Sequence, residues 1–220
     1  MERLDKILSS QGVGSRKEAG ILIRRGLVHV NGILATRPET KTDPERDQIT
    51  IEGKPLRFQR HVYLMMNKPA GVVSASRDSR EKTVVDLVPP ALSRRDLFPA
   101  GRLDRDTTGL LILTDDGELA HRMLSPKKHV YKLYEASVDG PVGAEEIEKF
   151  AAGVALEDGT VCLPAGLTVV KQGTVWETLV EIREGKFHQV KKMFLAVGRR
   201  VLRLKRVRIG GLELDKTLKE

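Results

Sequence analysis

The chain has 220 residues, 40% of them hydrophobic and 4% aromatic, so leucine, valine and isoleucine must build most of its core. Its formal net charge of +8 and its pI near 9.6 favour a polyanionic partner, either nucleic acid or an anionic membrane surface. No apolar run approaches the ~20 residues that span a bilayer, and the charged N-terminus has no signal-peptide core; we therefore expect a cytoplasmic protein with no membrane partner.

The N-terminal residues predict two short helices. Apolar residues spaced i, i+3 and i+4 from Leu4 give the first helix one buried face. The sequence Ser15-Arg16-Lys17-Glu18 is a capping box that starts a second helix, and Gly26 ends that helix.

A hairpin is predicted after the second helix. Asn31-Gly32 separates two short apolar runs, which is typical of a tight turn between antiparallel strands, and a further strand is predicted over Gln48–Glu52. Two helices followed by this hairpin resemble the S4 RNA-binding domain, in which basic helices contact the phosphates of structured RNA. The resemblance implies RNA contacts for the basic residues on or beside the helices, which are Arg3, Lys6, Arg16, Lys17, Arg24 and Arg25.

The next predicted strand begins at His61 and runs into a Pro-Gly turn. Lys68 precedes Pro69, and a residue before proline is not easily helical, so we expect the Lys68 side chain at an exposed turn.

Two aspartates lie in a charged turn before the most apolar predicted strand, Leu110–Leu113, which extends through Thr114. A carboxylate on a loop that a buried strand holds rigid can be a positioned reactive group, although such a turn alone is more typical of a solvated surface. The aspartates are Asp104 and Asp106. Their spacing does not predict a calcium loop, because the closing glutamate is missing and the second half is the apolar strand.

The rest of the chain alternates between short helices and strands. Tyr134 is predicted to share a strand face with Lys132. From Lys186 to Arg208 there are nine lysines and arginines and no acidic residue, which favours nucleic-acid binding. The predicted elements are helices over Leu119–Leu124 and Ala144–Ala152, strands over Val130–Val138, Leu167–Lys171, Trp176–Ile182 and Arg199–Ile209, and a helix before the last strand that Gly198 ends.

The sequence predicts no cofactor and no metal. The single cysteine, Cys162, cannot form an internal disulfide and argues against a cysteine-based metal site. The five histidines show no metal-ligand spacing, and the glycine-rich patterns of nucleotide sites and the serine-hydrolase pattern are absent.

Four motifs together resemble those of pseudouridine synthases. The segment Gly101–Leu110, which contains Asp104, is similar to the signature motif of that family. The segment Glu184–Met193 is similar to its third motif. The other two are similar to Lys68-Pro69-x-Gly71 and Lys132-x-Tyr134. The resemblance implies an α+β fold. It has a small S4-like domain (1–56), a linker (57–61) and a catalytic domain (62–220) with a mixed, mainly antiparallel sheet and flanking helices.

The resemblance also implies residue roles. Asp104 would act as the nucleophile or base that starts cleavage of the C1′–N1 bond, with attack on the sugar, attack on the base and removal of a sugar proton all left open. Tyr134 would stack on the flipped base, and Lys191 would pair with Asp104, with Lys186 as the second choice. RNA contacts are expected from Lys68, Arg102, Arg105, Lys186 and Lys192, while Asp106 and Thr107 would brace the loop.

The implied reaction is conversion of a uridine in ribosomal RNA to pseudouridine. The sequence Phe187-His188-Gln189-Val190-Lys191 favours the branch that acts on small-subunit (16S) RNA, since large-subunit relatives tend to carry Asn-Arg-Gln-Val-Arg there. The alternatives are a large-subunit (23S) synthase and a non-catalytic RNA-binding or ribosome-assembly protein. The expected partner is ribosomal RNA or the assembling small subunit, and the expected state is a monomer.

Overall fold

The computed structural model describes residues 1–94, 96–125, 128 and 130–220. The chain forms two compact units, one of residues 1–62 with 88–97 and the other of residues 63–87 with 98–220. The predicted boundaries at 56 and 61 stay a prediction. Within the described residues, no helix combines the length and apolar character needed to cross a membrane.

Among its described residues, the smaller unit holds two helices, a four-stranded sheet and a two-stranded sheet that pairs its first and fourth strands. Both the capping box at Ser15 and the Asn31-Gly32 turn are confirmed: Ser15 and Glu18 bond each other's backbone, and Asn31 and Gly32 both have positive φ. The buried faces of the helices pack with the strands around Leu4, Leu8 and Ile23. The elements are β1 (Glu2–Arg3), α1 (Leu4–Ser10), α2 (Arg16–Arg24), β2 (Val28–Val30), β3 (Ile33–Leu34), β4 (Lys41–Thr42), β5 (Ile49–Ile51) and β6 (Lys54–Pro55).

The larger unit is an eight-stranded mixed sheet with three α-helices among its described residues. The Asp116 side chain caps the first of these helices by accepting a hydrogen bond from the backbone N–H of Leu119. The elements are β7 (Tyr63–Lys68), a 3-10 helix (Val85–Leu87), β8 (Phe98–Pro99), β9 (Thr108–Thr114), α3 (Gly117–Leu124), β10 (Lys132–Val138), α4 (Ala144–Ala152), β11 (Gly166–Lys171), β12 (Trp176–Ile182), α5 (Gln189–Ala196), β13 (Val201–Ile209) and β14 (Leu212–Glu213).

The strand order places the last long strand in the middle of the sheet. It reads β11-β12-β10-β13-β9-β7, and all neighbours are antiparallel except β13 and β9, which are parallel. The predicted mixed, mainly antiparallel α+β fold is confirmed. The helix α4 packs through Phe150, which is fully buried, while its neighbour Ala151 is exposed.

Gly109 allows β9 and β13 to approach closely. It pairs with Arg206 and has φ +98°, and a Cβ atom at this position would lie only 2.2 Å from the Arg206 carbonyl oxygen. Glycine is therefore required here both for its conformation and for its lack of a side chain. The contact fixes the start of β9, and with it the end of the Asp104 loop.

Candidate active site

A buried lysine holds the loop that carries Asp104. Lys68, at the end of β7, is fully buried. Its Nζ donates to the carbonyl oxygens of Asp104 at 3.1 Å and Thr107 at 3.0 Å, and to those of Pro69 and Arg105. One ammonium group thus ties the whole turn to the sheet.

The prediction for Lys68 was wrong. We expected its side chain at an exposed turn, in contact with RNA, but its ammonium is enclosed by backbone carbonyls and cannot reach a phosphate. Burial lowers the pKa of Lys68 to about 8, against the opposing influence of the Asp106 and Asp104 carboxylates.

Further hydrogen bonds brace the same turn. The Ser74 hydroxyl donates to the carbonyl oxygen of Leu103 and accepts from its backbone N–H. Gly71 N–H donates to the Arg105 carbonyl oxygen at 2.8 Å. Thr107 braces the loop through its backbone, since its N–H donates to the Asp104 carbonyl oxygen at 3.1 Å. Its hydroxyl is buried without a hydrogen-bond partner among the described residues. Asp104 therefore lies on a backbone that is fixed from several sides.

Asp104 faces two nitrogen-bearing side chains from the segment around the start of α5. Its Oδ2 lies 3.0 Å from Lys191 Nζ, and its Oδ1 lies 3.5 Å from His188 Nε2. The Asp104 side chain is only 25% exposed, so the attraction to Lys191 is less screened than on an open surface. A carboxylate held against a cation in this way is positioned to act as nucleophile or base.

The geometry pairs Asp104 with Lys191 and not with Lys186. Lys186 Nζ lies 2.6 Å from Glu184 Oε2 instead. Lys191 also contacts Asp106 Oδ1 at 2.6 Å, and this hydrogen bond holds the pKa of Asp106 below its usual range. Although burial opposes the shift, the hydrogen bonds to Asp106 and Asp104 raise the pKa of Lys191, which keeps it charged. Asp106 thereby supports the site through Lys191.

Asp104 opens into a cavity of about 690 Å³, which is within the range of small-molecule sites. Tyr134 lies in its wall, almost fully buried, and Lys132 lines the same cavity from two residues earlier on β10. Arg102 is exposed and lines it too. The structure therefore brings the predicted Asp104 and Tyr134 to one cavity, and Lys191 contacts Asp104 at its edge.

Two cavity residues were missed as functional candidates. Arg206 lies in the predicted basic strand. The sequence does not show that this strand pairs with β9 and that Arg206 lines the cavity. For Phe187 the available signal in the sequence was an aromatic residue placed directly between Lys186 and His188. Its ring is 67% exposed and stacks on the His188 ring with centroids 3.8 Å apart, at the cavity lining.

Several residues predicted to bind RNA make ion pairs within the protein. Arg105 contacts Glu81 at 3.3 Å, and Lys192 contacts Asp158 at 3.4 Å. In the smaller unit, Arg3 and Arg16 both contact the buried Asp5 carboxylate. These side chains remain partly exposed. The other basic residues predicted on the helices are exposed, and they are Lys6 (paired with Glu2), Lys17, Arg24 and Arg25.

No metal-binding cluster of three or more histidine, cysteine or acidic side chains is present in the described part of the chain. The chemistry of the cavity is that of two carboxylates, aromatic rings and several cationic groups.

Comparison with known proteins covers both parts of the chain. Residues 62–196 match the family model described as RNA pseudouridylate synthase, and residues 2–49 match the S4 domain. The first match contains Asp104, Tyr134 and Lys191.

Relatives of similar length support the same match. The chain is 46% identical over 218 residues to an uncharacterized RNA pseudouridine synthase of Bacillus subtilis, covering 98% of this chain and 91% of the relative. It is 41% identical to ribosomal small subunit pseudouridine synthase A of Escherichia coli, covering 98% and 92%. A crystal structure of a pseudouridylate synthase superposes with a TM-score of 0.68 at 35% identity, covering 100% of this chain and 94% of the other.

Proposed function

We infer the substrate and the residue roles from the family of this chain, which belongs to the RNA pseudouridylate synthase family and is an RNA pseudouridine synthase. We propose that it isomerises a specific uridine of small-subunit (16S) ribosomal RNA, with Asp104 as the residue that starts the reaction. The observation that carries the residue assignment is the position of Asp104 in a cavity that Tyr134 also lines, with its carboxylate against Lys191.

The reaction has simple requirements. The C1′–N1 bond of uridine breaks, a C1′–C5 bond forms, C5 loses a proton and N1 gains one, so neither an oxidant nor a reductant is consumed. The site must hold an ionised carboxylate beside the sugar and base, enclose the detached base and let it rotate. Asp104, whose carboxylate lies 3.0 Å from Lys191 Nζ, meets the first need, and the cavity meets the others.

The target base must leave its stack to reach Asp104. Flipping a nucleotide out of RNA costs on the order of a few kcal/mol, which contacts in the pocket must offset. Tyr134 supplies an aromatic face in the cavity wall, and Arg102 lies at an exposed position of the same cavity. We assign stacking on the flipped base to Tyr134 and backbone contact to Arg102.

Two observations support the 16S target over a 23S target. Relatives named ribosomal small subunit pseudouridine synthase A are 41% identical across nearly the whole chain. The segment Phe187–Lys191 has the form that the resemblance associates with the small-subunit branch. An S4-like unit with exposed basic helices supports structured RNA as the partner. The protein would act in the cytoplasm, and as a monomer, because one chain supplies Asp104, Tyr134 and Lys191.

Pseudouridine mapping of 16S and 23S ribosomal RNA, with and without the gene, tests the target. We expect loss of one 16S site and no change in 23S RNA. A missing 23S site, with 16S RNA unchanged, would transfer the assignment to the large subunit.

The variant Asp104→Asn tests the catalytic residue and the binding-protein alternative together. Asparagine has the same shape but no charge, so we expect RNA affinity to be retained while pseudouridine formation is lost. A variant that still forms pseudouridine would refute the role of Asp104. If cells that carry only the Asp104→Asn protein still assemble ribosomes normally, RNA binding would support ribosome assembly independently of catalysis.

A further inference from the structure

Arg206 is a buried cation with unused hydrogen-bond donors. It is only 3% exposed, and within the described residues the one hydrogen bond of its side chain runs from Nε to the Leu110 carbonyl oxygen, at 2.8 Å. Its Nη2 is buried without any partner there. A guanidinium carries five N–H donors, so most of this group's capacity is unsatisfied. Buried donors of this kind are costly unless an acceptor arrives from outside the protein.

The position of Arg206 shows where that acceptor would be. Arg206 is the direct cross-strand partner of Tyr134, so the two side chains lie on the same face of the sheet. Both line the cavity into which Asp104 opens. The Nε bond to Leu110 anchors the guanidinium to β9, the strand that follows the Asp104 loop. A ring stacked on Tyr134 would have its edge toward Arg206.

Uracil has the chemistry that this group lacks. Its two carbonyl oxygens, O2 and O4, are hydrogen-bond acceptors, and both lie in the plane of the ring. When the C1′–N1 bond breaks, its electron pair stays with the base, and negative charge spreads over N1 and the carbonyl oxygens. A preorganised cation in an enclosed site stabilises such developing charge far better than water does.

We propose that Arg206 binds a carbonyl oxygen of the flipped uracil and stabilises the negative charge on the detached base. The proposal rests on the proposed function, and it assigns to a strand residue outside the matched family segment (62–196) a direct role in the reaction. Phosphate is the less suitable ligand for this side chain. Arg102 and Lys186 are exposed and therefore accessible to the RNA backbone, whereas Arg206 is buried in the cavity wall.

The decisive variant is Arg206→Gln, compared with Arg122→Gln as a control. Arg122 is an exposed arginine of α3 that pairs with Glu118, and it does not line the cavity that contains Asp104. The substrate is a short synthetic RNA that spans the uridine found by mapping. For Arg206→Gln we expect the single-turnover rate to fall about 100-fold or more, as on removal of one oxyanion donor, with RNA affinity nearly unchanged. Arg122→Gln should keep the wild-type rate.

Sulfur substitution identifies the contacted oxygen. The same RNA is prepared with 2-thiouridine or 4-thiouridine at the target, since sulfur is a weaker acceptor than oxygen. In the wild type one of the two should react more slowly than uridine, and in Arg206→Gln that difference should disappear. Equal sulfur effects in both proteins, or a wild-type rate in Arg206→Gln, would overturn the proposal.

Arg206→Lys covers the case in which glutamine prevents folding. Lysine keeps a buried cation, but one ammonium cannot hold the Leu110 carbonyl and the base in the geometry of the guanidinium fork. We expect a loss of about 10-fold with unchanged RNA affinity, and an unaltered rate would refute the role. If the wild type forms no pseudouridine in any RNA, the proposed function itself fails, which is distinct from these outcomes.

Discussion

The ammonium nitrogen of Lys191 lies 3.0 Å from the carboxylate of Asp104. This contact joins the start of α5 to the loop before β9, two segments that are far apart in sequence. It holds in place the carboxylate to which we assign the chemistry.

Replacing Lys191 by methionine should remove the cation and leave the Asp104 backbone in place. Hydrogen bonds to charged groups are worth about 1.5–3 kcal/mol, and about 1.4 kcal/mol is a factor of ten. We therefore expect the single-turnover rate to fall about 10- to 100-fold. Lys149→Met is the control, since Lys149 pairs with Glu145 on the exposed face of α4. Equal rates for the two variants would contradict the role of Lys191.

The buried Lys68 predicts an alkaline limit to activity. Its pKa is about 8 in the folded protein, against an ordinary value of 10.5. Above pH 8 the neutral amine has only two N–H donors for four carbonyl oxygens, so the Asp104 loop should loosen and the rate should fall. Lys191 stays charged there because its pKa is raised. A rate that stays constant well above pH 8, with RNA binding intact, would contradict the prediction.

Stability should respond to the same titration in the opposite direction. Between pH 8 and 10.5 the unfolded chain binds the Lys68 proton more tightly than the folded chain, so the contribution of this group to the free energy of unfolding rises with pH. Thermal melting of the wild type and of Lys68→Met at several pH values measures it. The stability of the wild type relative to the variant should increase across this window, and a decrease would show that the folded pKa is not lowered.

The close approach of β9 and β13 makes Gly109 intolerant of a side chain. In Gly109→Ala the new methyl group would meet the Arg206 carbonyl oxygen at 2.2 Å, at a positive φ. We expect a loss of about 3 kcal/mol or more in the free energy of unfolding, from overpacking and backbone strain together. Gly117→Ala is the control, because nothing lies within 4 Å of its Cβ position and it begins α3. Chemical denaturation should show that variant to be neutral or slightly stabilised.

The exposed ring of Phe187 predicts a stacking contact with RNA. Bases that stack on aromatic side chains contribute about 1–3 kcal/mol each. Phe187→Ala should therefore weaken RNA binding by about 5- to 100-fold at constant salt, measured by fluorescence anisotropy. Val170→Ala, which changes an exposed residue of β11, should have no effect. Similar affinities for the two variants would exclude the contact.

Local signals in the sequence predicted much of the fold. The reciprocal bonds of Ser15 and Glu18, the turn at Asn31-Gly32 and the bounds of α4 at Ala144 and Ala152 all depend on residues close in sequence. The motifs also directed attention to Asp104 and to Lys191. These features could be predicted because their cause lies within a few residues.

Features that depend on strand pairing could not be predicted in this way. The position of Lys68 before Pro69 correctly predicted a backbone that is not helical. The burial of its side chain follows instead from the pairing of β7 with β9, which places Lys68 opposite Gly109. Arg206 could be recognised as a cavity residue only from its pairing with Tyr134 on one side and Gly109 on the other. Sequence periodicity gives the faces of a strand but not its neighbours.

The central place of β13 bears on when the protein becomes active during its synthesis. Tyr134 is on the strand to one side of β13, and the Asp104 loop leads into the strand on the other side. Until residues 201–209 have been made and inserted, these two halves have no strand between them, and the pairing must bridge about a hundred residues of chain. Because the sheet that joins the Tyr134 strand to the strand after the Asp104 loop needs this last long strand, we expect a nascent chain to become competent for catalysis only after residues 201–209 have paired.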